Sequence, residues 1–314
     1  MPPEDVHSSV TIHIPTPPHA IATMKISGCY HVVTGAGRGI GRALAVGLAQ
    51  RGAAGVALVD LSSPVAAAGV AADAATHSAF QALPIAADVS SRDATHAAIF
   101  SARSAFGRID GVISNAGVSH FGAEARGPFT AVGEPAQAWE QAMNINCMAH
   151  VWAAEAVVPD FERRSTGGSF VSIVSAAGLL TQIGAPSYSV SKAAALAFSE
   201  SLAVHHGDRG VRVHCVCPQA VATSLVGISS EDPHAQLPAG ALAGGADSGV
   251  LSPEEVARAT LDAMESGEPL LVLPHPQVAD YVKMKAAAPG KWVKGMRKLR
   301  DAIEDGKTPL VQGS

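Results

Sequence analysis

Thr34-Gly35-Ala36-Gly37-Arg38-Gly39-Ile40-Gly41 stands between a short apolar run, Cys29–Val33, and an Ala- and Leu-rich stretch, Arg38–Arg51, that stops near Gly52. The run predicts a strand and the stretch a helix, so the glycines fall in a strand-to-helix turn. Glycines there let the backbone turn tightly and approach a pyrophosphate, and the helix N-terminus offers N–H groups and a positive dipole to an anion. The spacing is T-G-x-x-x-G-x-G rather than G-x-G-x-x-G. Alone, the turn is equally compatible with a plain tight turn.

Outward from this turn, strand-like and helix-like segments alternate. Strands are predicted at Gly55–Asp60, Leu83–Asp88, Ile109–Ser114, Ser169–Ser175, Val211–Cys217 and Leu270–Leu273. Helices are predicted at Pro135–Phe161, Ser187–His206 and Ser252–Ser266, the last opening with a cap, a proline and two glutamates. Apolar strands alternating with helices imply an α/β protein: a doubly wound parallel sheet in three layers, the Rossmann arrangement. The 314 residues, 47% hydrophobic and 16% charged, suffice for one large domain. The net charge of −5 argues against a nucleic-acid partner. No apolar run is long enough to span a bilayer. The late basic residues Lys283, Lys285, Lys291, Lys294, Arg297, Lys298 and Arg300 read as a solvated helix face rather than a membrane patch.

Asp60 ends the second predicted strand, 19 residues beyond Gly41, with Leu61 next to it. A carboxylate there accepts hydrogen bonds from the hydroxyls of an adenosine ribose and repels a 2′-phosphate, which favours NAD over NADP. Arg38 pulls the other way, since an arginine in the turn pairs with that phosphate. Asp88-Val89 and Asn115-Ala116-Gly117 close the third and fourth predicted strands, where open α/β sheets bind ligands. Each is also ordinary turn chemistry.

Tyr188 and Lys192 are four apart in a predicted helix and share a face. A nearby ammonium favours the phenolate and lowers the tyrosine pKa, so the pair suits proton transfer to a carbonyl or from an alcohol. Ser175, 13 residues before Tyr188, ends the fifth predicted strand, and its hydroxyl suits holding the reacting oxygen. Asn146 lies on the long helix before it, with an amide suited to a water that links Lys192 to solvent. With these residues the chain resembles the short-chain dehydrogenase/reductase family, in its main single-domain branch. The matching elements are T-G-A-G-R-G-I-G at 34–41, Asp60, Asp88-Val89, Asn115-Ala116-Gly117, Asn146, Ser175, Y-S-V-S-K at 188–192 and Pro218-Gln219-Ala220-Val221-Ala222-Thr223.

The resemblance implies a seven-stranded sheet in order 3-2-1-4-5-6-7, with Tyr188 as acid–base residue and Lys192 on the nicotinamide ribose. It also implies that Ser175 orients the substrate, that Asn146 supports a relay water, and that Val221 and Thr223 hold the carboxamide. Gly35, Arg38, Gly39, Ile40, Leu61, Val89, Ala116, Gly117 and Pro218 complete the expected cofactor contacts. The expected reaction is hydride transfer between NAD and a hydrophobic secondary alcohol or ketone. An NADPH-linked ketoreductase and a catalytically idle nucleotide-binding scaffold are the alternatives. Dimers or tetramers through the two long helices are also implied.

Gln219 departs from the family pattern, standing where a glycine is usual, and Ser114 stands where an asparagine is common. Residues 1–23, which hold five prolines and no Lys or Arg, read as a flexible extension without a targeting signal, so a cytoplasmic location is expected. Residues 24–275 form the expected domain. Within it, the Ala-, Gly- and Ser-rich Thr223–Gly249 reads as a substrate loop rather than a surface insertion. Residues 276–314 read as a helical extension that either packs on its own domain or a partner, or closes one side of the substrate pocket. The four cysteines and thirteen histidines form no metal-binding spacing. Ser175 lacks the surroundings of a hydrolase nucleophile.

Overall fold

The computed structural model describes residues 25–62, 64–76, 78–119, 130–223, 225, 249–267 and 270–305. The expected N-terminal extension and nearly all of the expected substrate loop lie outside them.

Seven parallel strands form one sheet: β1 (Tyr30–Thr34), β2 (Gly55–Asp60), β3 (Gln81–Ala86), β4 (Gly111–Ser114), β5 (Gly168–Ile173), β6 (Val211–Val216) and β7 (Leu271–Val272). Their order is β3-β2-β1-β4-β5-β6-β7, as expected. Side chains alternate between two buried layers, because successive residues of a strand point to opposite faces. Val33, Val56, Leu58, Ile113, Val171 and Val216 pack on one face, with α1 (Gly39–Gln50), α2 (Pro64–Asp73) and α8 (Pro253–Ser266). Val32, Ala57, Val59, Val112, Phe170 and Val213 pack on the other. There they meet α3 (Arg92–Phe106) and the long helices described next.

The segment expected as one helix over Pro135–Phe161 is α4 (Ala136–Met143), a π-helical turn (Asn144–Met148) and α5 (Ala149–Arg163). Apolar periodicity does not register a single widened turn, and π turns recur at functional sites. Some helices are not among those expected. Among these are α3 and α6 (Ala176–Leu180), directly after β5; the C-terminal stretch also breaks at Ala288-Pro289 into α9 (Val278–Ala287) and α10 (Pro289–Glu304). Between α6 and α8 lies α7 (Pro186–His206). Helix α8 keeps its expected start: Ser252 and Glu255 form a reciprocal capping box.

Several expected strand ends shift by one or two residues, and two of the shifts move expected site residues. β3 stops at Ala86, so Asp88 lies beyond it in the loop to α3. Pro84 sits within β3, which is tolerable because β3 is an edge strand. β5 stops at Ile173, and Ser175 becomes the N-cap of α6.

The chain reverses direction between β3 and β4, so β1 and β4 are neighbours and a crevice opens at their carboxyl ends. At the amino ends, Asp110 accepts from the Tyr30 amide at 2.9 Å and pairs with Arg108 and Arg164 at 3.0 Å each. On the sheet's second face, Phe161 lies over the start of β5 so closely that a Cβ at Gly168 would stand 2.2 Å from its ring. Gly168→Ala is therefore expected to reduce unfolding free energy by about 1–3 kcal/mol through overpacking. Denaturant unfolding measures this, and an unchanged midpoint would mean that Phe161 yields freely.

Candidate active site

Thr34 and Asn115 clasp the two central strand ends. The Thr34 hydroxyl accepts from the Asn115 and Ala116 amides at 2.9 and 3.1 Å. The Asn115 side-chain amide donates to the Thr34 and Gly35 carbonyls at 2.9 and 3.1 Å. The glycine turn is thereby pressed onto β4. Gly35 has φ +63°, and a Cβ on it would stand 2.8 Å from Ala116 Cα. A Cβ on Gly41 would stand 2.1 Å from the Gly35 carbonyl oxygen. No side chain caps the N-terminus of α1.

A cavity of about 580 Å³ opens above this clasp. Gly35, Arg38, Gly39 and Ile40 form its floor at the start of α1. Asp60, Leu61, Asp88 and Val89 line one end, and Asn115, Ala116 and Gly117 the middle. Ser175, Tyr188, Lys192, Pro218, Val221 and Thr223 line the other. Thr223 also reaches back to the glycine turn, 3.2 Å from where a Gly39 Cβ would stand. The Asp60 carboxylate accepts from the Gly37 amide at 2.9 Å and from the Ser62 amide at 3.0 Å, so it holds the turn while facing the cavity. Asp88 accepts from the Ser90 amide at 2.9 Å, a local turn contact.

These features fit a dinucleotide. Gly35 and Gly39 bring bare backbone to the floor beside Arg38 and Ile40, and the N-terminus of α1, where the Arg38 side chain makes no capping hydrogen bond, opens onto it. Carboxylates stand at one end only. The residues suited to that group are the glycine turn for the diphosphate, Asp60 for ribose hydroxyls, and Lys192 with Val221 and Thr223 at the far end.

At that far end the Tyr188 phenol and the Ser175 hydroxyl line the cavity together, and the hydroxyl accepts from the Ala177 amide at 3.0 Å. Tyr188 is 8% exposed and Lys192 3%. The Lys192 ammonium donates to the Ile173 carbonyl at 2.9 Å and lies 5.8 Å from the Tyr188 ring centroid. Burial pushes its pKa down to about 8, against the pull of the Cys217, Cys215 and Cys147 thiols. The expected lowering of the Tyr188 pKa by Lys192 does not occur. Burial raises the phenol's pKa, while the Ser175 hydrogen bond opposes that rise and the Cys217 thiol adds to it. Desolvation by burial sets the direction.

Asn146 departs further from expectation. It is fully buried and does not line the cavity. The π turn aims its side chain at the loop after β4. Its oxygen accepts from the Val118 amide at 2.8 Å, and its nitrogen donates to the Val118 carbonyl at 2.9 Å and the Ser191 hydroxyl at 3.0 Å. Both amide protons are thus used within the protein, so the side chain acts as a clamp between that loop and α7. Ser191 in turn donates to the Tyr188 carbonyl at 2.9 Å, which ties the clamp to the turn bearing Tyr188 and Lys192. The clasp by Thr34 and the part of Ser191 escaped the sequence reading. Both residues lie inside quoted motifs, and their role depends on partners 81 and 45 residues away.

Known proteins resemble this chain in the same terms. The family model described as short chain dehydrogenase matches residues 30–234. A CLA biosynthesis dehydrogenase/reductase of Lactiplantibacillus plantarum is 31% identical over 195 residues, 62% of this chain and 65% of that protein. The match therefore spans just under two thirds of that relative. A (−)-trans-carveol dehydrogenase of Rhodococcus erythropolis is 33% identical over 213 residues, 64% of this chain and 74% of its own. Among solved structures, a short chain dehydrogenase/reductase from Burkholderia phymatum in complex with NAD superposes with a TM-score of 0.68 at 25% identity. That superposition covers 84% of this chain and 95% of the other.

Replacing Asn146 by Ala is expected to leave the Val118 amide and carbonyl without partners, reducing unfolding free energy by about 1–3 kcal/mol. Chemical denaturation checks this, and an unchanged stability would show the clamp to be idle.

Proposed function

The chain belongs to the short chain dehydrogenase family, and on that premise we propose that it transfers hydride between NAD and a neutral, hydrophobic secondary alcohol or ketone, with Tyr188 as the acid–base residue. The observation that carries this reading is the convergence of the Tyr188 phenol, the Ser175 hydroxyl and Lys192 in the same cavity as the glycine turn. Bound there, the nicotinamide supplies or accepts the hydride.

Each residue then has one task. The Ser175 hydroxyl holds the reacting oxygen next to the phenol. Tyr188 gives its proton to that oxygen during ketone reduction and takes one from the alcohol during oxidation. Lys192, anchored on the Ile173 carbonyl, turns its remaining donors to ribose hydroxyls. Val221 and Thr223 hold the carboxamide. Ile145, Val174, Pro218 and Val221 make the wall around the phenol apolar, which favours a hydrophobic substrate. In this reading residues 24–275 form the catalytic domain, residues 1–23 and 276–314 extend it, and the long helices join copies into a dimer or tetramer.

The preference for NAD rests on Asp60. Its carboxylate is held in place by the Gly37 and Ser62 amides and faces the cavity end where a ribose 2′-position would lie, so a phosphate meets a fixed negative charge. Arg38 shares that wall and supports the NADP alternative. Asp60→Ala is expected to raise kcat/KM with NADP relative to NAD by roughly tenfold or more. Initial rates with both cofactors measure the ratio, and an unchanged ratio removes Asp60 as the discriminator.

Tyr188→Phe is expected to abolish turnover while leaving the Kd for NAD within about twofold. The sign of the pH dependence follows from the phenol's raised pKa. The protonated form persists at neutral pH, so ketone reduction proceeds there and declines in alkali, whereas alcohol oxidation climbs as the proton leaves. Rate profiles in both directions between about pH 6 and 10 check this. A flat oxidation profile, or continued turnover by the Tyr188→Phe enzyme, would sink the assignment.

A further inference from the structure

We propose that the C-terminal helices α9 and α10 position Ser175 by bracing α6, and that Lys285 is a positioning residue for the reaction. The inference rests on the proposed role of Ser175 and Tyr188, and it concerns a part of the chain beyond the family match, which ends at residue 234.

Helix α6 has only five residues, too few to be stable by themselves. Its first residue follows Ser175, whose hydroxyl both caps it and meets the Tyr188 phenol. Whatever holds α6 therefore holds the hydroxyl. On one side α6 lies on α7. A Cβ at Gly178 would come within 2.9 Å of the Lys192 backbone, and the Gln182 amide donates to the Ser189 hydroxyl at 2.9 Å. On the other side Ala176 and Leu180 are buried against Val278, with Tyr281, Val282 and Trp292 packed around them. The Tyr281 and Trp292 rings lie 6.5 Å apart, which joins α10 to α9 at this contact.

Lys285 completes the brace. Its ammonium donates to the Leu179 carbonyl at 2.5 Å, across 106 residues of sequence. The last carbonyls of a helix have no partners within it, and a lysine donor at that end both satisfies one and suits the local dipole. Immediately beyond, Thr181 has φ +70°, the one positive φ at a non-glycine among the described residues. A β-branched residue adopts that conformation only where its surroundings impose it. Its amide is held by the Ala177 carbonyl at 3.0 Å, so the strain sits where α6 is pinned between α7 and the C-terminal helices.

The test compares the full-length protein with Lys285→Met, which keeps the stem and loses the donor, and Lys285→Arg, which keeps a donor. Three readouts are taken: kcat and KM, the pH profile of oxidation, and amide hydrogen exchange of residues 176–181. Lys285→Met is expected to reduce kcat roughly tenfold with the NAD Kd unchanged. It is also expected to speed exchange in α6 and to move the alkaline limb of the oxidation profile upward. That last shift follows because the Ser175 hydrogen bond opposes the burial of Tyr188, while the other groups facing the phenol, Lys192 and the Cys217 thiol, stay in place. Lys285→Arg should restore all three. Wild-type values of kcat and α6 exchange in Lys285→Met overturn the proposal, as does a fall in thermal stability with the pH profile unmoved. Should Lys285→Met not fold, Trp292→Leu replaces it under the same criteria. A wild-type protein inactive on every alcohol and ketone defeats the functional reading instead, and α6 exchange still decides the brace.

Discussion

Two strand ends meet at the middle of the sheet, and Thr34 and Asn115 fasten them with four hydrogen bonds. The contact is so close that neither Gly35 nor Gly41 has room for a Cβ. Close approach at this point makes the rest of the site possible. It presents bare backbone and the open N-terminus of α1 to a cavity, and it draws the loop after β4 under that cavity. Ser175 and Lys192 then reach the same space from β5 and α7. Were β1 and β4 not neighbours, the floor and the proton-transfer groups would belong to different surfaces. The order of strands is thus the first requirement of the chemistry.

Burial is the second. Tyr188 and Lys192 both stand in a dry environment that disfavours their charged forms, so the phenol titrates high and the ammonium low. Ser175 opposes the burial penalty directly, through its hydrogen bond to the phenol. In the proposed reaction the serine both tunes the phenol and faces the reacting oxygen, so its placement matters twice.

Placement of that serine is shared among distant parts of the chain. Its backbone follows β5, the Ala176 amide is tied to the Pro218 carbonyl at 2.8 Å, and α6 is wedged between α7 and the C-terminal helices. Asn146 works in a comparable way on the far side, joining the Val118 loop to Ser191 and so to the turn that carries Tyr188 and Lys192. A few side chains touch the cavity, and a second layer of amides, hydroxyls and one lysine holds those side chains in position.

Fold class and nearly every cavity-lining residue singled out left a local trace in the sequence, whereas the strand order followed from the family resemblance that those residues carry. Apolar runs of five or six mark strands covered on both faces, glycines crowd where backbone must approach backbone, and a tyrosine and lysine four apart share a helix face. Other features leave no such trace. A π turn shifts Asn146 into its clamp without disturbing the apolar pattern of the long helix. Ser175 changes from a strand residue to a helix cap, and Lys285, one of seven late basic residues, becomes a hydrogen-bond donor to Leu179. The roles of Asn146 and Lys285 arise from contacts between segments 28 and 106 residues apart. Periodicity reports which face of an element is buried, but not which distant atom meets it there, and that pairing exists only once the chain has folded.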